Sequence, residues 1–134
     1  MGIVGASAAE NSTVTFRVQL VRGIEGSKSG DSSWKPVNAT LNKRLTAGFR
    51  WSSYWEVNHV SLKVAADKPV RSRLSSDREV EVQLLTSGEY EARMYSKGKL
   101  MRKCRHSREK VCIMGGTREN DESWFVVVER EGPP

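Results

Sequence analysis

Hydrophobic and polar positions alternate strictly over residues 13 to 22, TVTFRVQLVR. Val14, Phe16, Val18 and Leu20 point one way, and Thr15, Arg17 and Gln19 point the other. A period of two is the mark of a half-buried strand. The Gly/Ser-rich stretch 23 to 33 then reads as a long loop. In WKPVNATLNKRLTAGF the period changes: Val37, Leu41, Leu45 and Phe49 are spaced by four, a helical stripe. Pro36 suits a helix start and Gly48 a helix end, which predicts one short helix over residues 37 to 46.

The stretch FRWSSYWEVNHVSLKV, residues 49 to 64, holds Phe49, Trp51, Tyr54 and Trp55, four of the ten aromatics. A strand over residues 54 to 66 is expected here, central to its sheet. Trp55 and Val57 share a face, but Val60, Leu62 and Val64 carry the apolar face onward. A phase change at Asn58-His59 is what a β-bulge produces. Parity assigns Trp51 and Trp55 to the core and leaves Tyr54 facing outward. Shorter strands follow over 70 to 74, 79 to 84, 90 to 95, 100 to 106 and 111 to 114. Lys97-Gly98 is a tight hairpin signal. The final run, WFVVV within 124 to 129, suggests burial on both faces.

This amounts to about eight short strands and one short helix, with turns roughly every ten residues. The expected fold is all-β, an antiparallel β-sandwich, with a small β-barrel as the alternative. One domain over residues 13 to 130 is expected, with a disordered segment at 1 to 12 and a flexible tail at 131 to 134. Ala6-Ser7-Ala8-Ala9 resembles the end of a signal peptide, so residues 1 to 12 are expected to be a remnant of one. Ala6 stands where a myristoylation signal wants Ser or Thr. No apolar run reaches the roughly 18 residues of a transmembrane helix.

Composition changes this picture little. At 37% hydrophobic and 28% charged the chain is globular, toward the polar end. The net charge of +6 favours acidic partners. Lys97, Lys99, Arg102, Lys103, Arg105, Arg108 and Lys110 form a basic ridge on the hairpin, offset by Glu109. The same residues also serve as the solvated guard of an edge strand. Tyr90 and Tyr95 are near enough in sequence to add stacking surfaces. The acidic last segment would partly cancel the ridge if it paired beside it.

Cys104 and Cys112 flank the turn at 107 to 110. If those strands pair as a hairpin, the two side chains face each other at disulfide distance. A metal site would need His106 and then His59 as further ligands. The knuckle spacing of structural zinc sites does not occur, so no metal and no cofactor is expected. No P-loop, dinucleotide fingerprint or nucleophile elbow occurs, so the chain is expected not to be an enzyme. The one candidate acid/base pair is His59 with Glu56. It requires an accessible His59 with a carboxylate within hydrogen-bond reach.

FRVQLVRG, FRWSSYWEVN and the finish MGG…DESWFVVV together resemble a group of small exported bacterial proteins, β-rich and uncharacterised. The resemblance covers about residues 13 to 130. It implies export and a sandwich-like domain, and it brings no functional residues with it. The expected role is therefore a non-enzymatic binding or structural module of the cell envelope, periplasmic or at the cell surface. Its partner would be an envelope protein or an anionic surface polymer, met through Tyr54, Lys97, Lys99, Lys103 and Arg105. The alternative is a cytoplasmic barrel that binds single-stranded nucleic acid.

Overall fold

A computed structural model describes residues 13–26, 31–115 and 123–131. The expectations for residues 1 to 12 and 132 to 134 lie outside these. Glu131 is described and is tied in: its N–H donates to the Thr15 carbonyl at 2.8 Å. Among the described residues no helix is long and apolar enough to cross a membrane.

Among the described residues, nine strands form two antiparallel sheets. They are β1 (Val14–Ile24), β2 (Lys35–Pro36), β3 (Ser53–Val64), β4 (Val70–Arg73), β5 (Arg78–Leu84), β6 (Glu89–Ser96), β7 (Lys99–Ser107), β8 (Cys112–Gly115) and β9 (Trp124–Arg130). One sheet has the order β2-β3-β1-β9-β8 and the other β4-β5-β6-β7. The fold is an all-β sandwich. Its centre is β1 rather than β3, because β1 is flanked by β3 and β9 and makes the sheet continuous. The stretch from Phe49 onward lies one strand out from the middle.

The inner faces of the two sheets meet in one apolar layer. Phe16, Val18 and Leu20 of β1 pack there with Val80 and Val82 of β5, Tyr90 and Met94 of β6, and Val126 and Val128 of β9. The alternation of β1 sends its odd residues to the opposite face, where a second core lies. Val21, Tyr54, Phe125 and Val127 meet Val37, Leu41 and Leu45 there. The helix α1 (Ala39–Gly48) lies against this outer face, and its spaced-by-four stripe is the buried one. Valines on both faces of β9 are therefore buried, as WFVVV suggested. Asn38 caps the helix by accepting from the Leu41 N–H at 2.8 Å. Pro36 instead belongs to β2, paired with Trp55.

The covered outer face corrects two expectations. Tyr54 is not an outward aromatic: it is 2% exposed, under α1, with its hydroxyl donating to the Leu45 carbonyl at 3.3 Å. Its parity was right, but the face opposite the sandwich core is dry here. Trp51 precedes β3, so strand parity does not reach it. It lies over Gly23, where an added Cβ would meet its ring at 2.6 Å. Trp51 and Trp55 are both half-buried rather than core.

The phase slip is a bulge. Leu20 pairs with Asn58 and Val21 with Glu56, leaving Val57 as the extra residue. The bulge lets Val57 and Val60 both pack on the inter-sheet core. Lys97 and Gly98, at φ 52° and 80°, make the tight turn between β6 and β7.

The turn at 107 to 110 is not a hairpin. β7 pairs with β6, and β8 pairs with β9, so this turn carries the chain from one sheet to the other. Cys104 and Cys112 are joined by a disulfide with a Cα–Cα separation of 6.0 Å. The bond therefore staples sheet to sheet rather than strand to paired strand.

Candidate functional site

Strand β7 closes one edge of the four-stranded sheet and is paired only to β6. Its register holds a second bulge: Met94 pairs with Arg102 and Tyr95 with Leu100, so Met101 is extra. This is the physical reason LMRKCRH alternates poorly. Lys99, Leu100, Met101, Arg102, Lys103, Arg105 and His106 are all exposed. Among the described residues, Leu100 and Met101 are the large apolar side chains open to solvent, at 45% and 47%.

The charges of this edge are only partly met. Lys103 lies opposite Arg93, and Arg105 opposite Glu91. Arg105 reaches Glu91 at 3.3 Å, but Arg93 holds the same carboxylate. Among the described residues, Lys99, Arg102 and Lys103 make no ion pair. β9, which carries Glu129, does not lie beside this ridge, since it pairs with β1 and β8 in the other sheet; Glu119, Asp121 and Glu122 lie outside the described residues. Lys97 is in the turn at the same end. The structure thus brings Lys97, Lys99, Lys103 and Arg105 along one edge and places Tyr54 elsewhere.

Inward from β7, the outer face of the four-stranded sheet is a lattice of opposite charges. Arg93 binds Glu81 and Glu91, and Arg71 binds Glu79. The Tyr95 hydroxyl donates to Glu81 at 2.9 Å, and Arg71 stacks 3.7 Å over the Tyr95 ring. Burial pushes the Glu81 and Glu91 carboxyls up, but Arg93 and their other hydrogen-bond donors outweigh it and hold both below the usual range. Tyr90, the other tyrosine considered for stacking, is fully buried. Neither ring is offered to a base.

A second cluster lies on the outer face of the five-stranded sheet, beyond the reach of α1. Glu56 Oε1 accepts from Arg17 at 2.9 Å and from the buried Gln19 amide, while Oε2 lies 3.0 Å from His59 Nδ1. The Glu56 side chain is 10% exposed and the His59 side chain 51%. Burial pushes the Glu56 carboxyl up, yet Gln19, Arg17 and His59 together hold it below the usual carboxylate range. Both conditions set for the acid/base pair are met. Arg17 and Gln19 were not singled out from sequence. Their position on the polar face of β1, one strand from Glu56, was the available signal.

A shallow cleft of about 440 Å³ lies beside the start of α1, between Asn38, Arg44, Glu109 and Glu129. One basic side chain, Arg44, and two acidic ones, Glu109 and Glu129, line it. Comparison with known proteins finds no matching family model, no matching curated protein and no matching solved structure.

Proposed function

We propose that the protein is a non-enzymatic module of the bacterial cell envelope that binds an anionic surface polymer along β7. The observation that carries this is the set Lys99, Arg102 and Lys103, exposed on an edge strand and, among the described residues, making no ion pair. A bulge and flanking lysines are devices that keep an edge from accepting another strand. They disfavour main-chain pairing with a peptide and leave side-chain charge as the means of contact. A flexible polyanion is met in that way, with counterion release as the driving force. The disulfide supports an oxidising compartment and hence export. The buried or cation-covered tyrosines weigh against single-stranded nucleic acid.

Retention on immobilised polyanions tests this directly. The protein is expected to bind a phosphate-rich or sulfated polymer and to elute with rising salt. The triple variant Lys99→Glu, Arg102→Glu, Lys103→Glu should lose retention while keeping its thermal midpoint. A folded triple variant retained like the parent would overturn the assignment. Retention on an oligonucleotide but not on the surface polymers would move it to nucleic acid.

A second reading rests on the Glu56–His59 contact. If His59 Nδ1–H donates to Glu56, Nε2 is left open to solvent as a proton acceptor. Against this, Glu56 is fully engaged by three donors, and the neighbouring Ser61 hydroxyl donates to Glu131 at 3.0 Å rather than toward His59. Hydrolysis of a panel of chromogenic esters decides it. Turnover by the parent that His59→Gln abolishes would support proton transfer; no turnover by the parent would remove it.

A further inference from the structure

The crossover from β7 to β8 gathers more than the disulfide. Cys104, His106 and Cys112 each offer a ligand atom, and these atoms all lie within 4.8 Å of one another. Cys112 is buried, Cys104 half-buried and His106 exposed. Residues 104 and 106 are two apart on one strand, so both side chains leave the same face of β7, toward β8. Zinc binds thiolate at about 2.3 Å and imidazole at about 2.0 Å, which sets tetrahedral ligand atoms roughly 3.5 Å apart. Opening the disulfide lets the two sulfurs move to that spacing without moving either strand far.

We propose that the reduced protein binds one Zn²⁺ ion through Cys104, His106 and Cys112. His59 takes no part, since it lies on the outer face of the other sheet, against Glu56. The fourth position is left to water, on the side where His106 is open. Two thiolates and a neutral imidazole balance the dication. The chemistry balances as follows. A dithiol reductant passes two electrons and two protons to the disulfide, becoming a disulfide itself and leaving two thiols. Zinc then displaces the two thiol protons. Either closure, covalent or metal, ties the same two sheets at the same place, so the staple is exchangeable between oxidising and reducing surroundings.

The test uses the full chain, reduced with a phosphine in metal-free buffer and titrated with Zn²⁺ against a chromogenic chelator. Uptake of one equivalent is expected, and none by the oxidised protein. Co²⁺ in place of Zn²⁺ should give a thiolate charge-transfer band with tetrahedral d–d bands. Cys104→Ser and Cys112→Ser should each lose stoichiometric uptake. His106→Ala, which keeps both cysteines, should shift the d–d bands and weaken binding. A folded, reduced parent that takes up no zinc would overturn the proposal. Cobalt spectra identical in the parent and His106→Ala would also overturn it. If reduction unfolds the chain, return of the native circular dichroism on adding Zn²⁺ supports the site, and no return counts against it.

Discussion

At the scale of single residues, Tyr90 joins three parts of the molecule. Its ring packs on Phe16, with centroids 4.7 Å apart. Its hydroxyl lies 2.6 Å from the Lys110 carbonyl and 3.2 Å from that of Val128. It therefore links β6 to the sheet crossover and to β9. Burial pushes its pKa up to about 12, partly offset by a backbone hydrogen bond at Cys112. The folded state holds the neutral phenol, whereas the unfolded chain ionises near 10. Stability from this group is present below about pH 10 and is lost as pH rises toward 12. Tyr90→Phe should cost about 1 to 2 kcal/mol near neutral pH, because two carbonyls lose their donor. It should also flatten the alkaline fall. Denaturant midpoints for both proteins, taken between neutral and pH 11, check the size and the sign together.

At the scale of elements, α1 is held by packing rather than by length. Ten residues make a helix too short to persist alone in water. Its hold is Leu41 and Leu45 on the outer face of the five-stranded sheet, with Phe49 edge-on to Phe125 at 4.6 Å. Leu45→Ala should cost about 2 to 4 kcal/mol. Because Leu45 also carries the carbonyl that receives the Tyr54 hydroxyl, hydrogen exchange should rise first in α1 and at the start of β3. Equal exchange in the four-stranded sheet would show that the helix is not a separable layer. The helix itself was legible from four residues spaced by four. Its docking place was not, because an apolar stripe names no partner. Tyr54 was misjudged for that reason. Its face was read correctly from alternation, but whether that face is wet depends on an element elsewhere in the chain. β2, two exposed residues paired to β3, gives no pattern at all.

At the scale of the molecule, the antiparallel sandwich and eight of its nine described strands, all but β2, could be read from period and turns. The division into sheets could not. Residues 107 to 110 are a polar turn whether the flanking strands pair or part, and local chemistry is the same in both cases. The choice is made by burial. Inward-facing residues of β8 (Cys112, Met114) and β9 (Val126, Val128) complete one wall of the core, while β7 is left at the rim. The basic ridge was legible as a cluster. The place of Glu129 and Glu131 was not, since that follows from β9 joining the opposite sheet.

The four-stranded sheet is one unbroken meander, β4 through β7, inserted between two crossovers. Every strand in it pairs with its immediate neighbour in sequence. The five-stranded sheet, by contrast, needs β1 to find β9 across more than half the chain. Short loops close faster than long ones, so the two sheets should not assemble together. The meander can form hairpin by hairpin and offer its apolar face as a template. β1 and β9 then zip onto it last, which makes joining the two ends of the chain the slow step of folding.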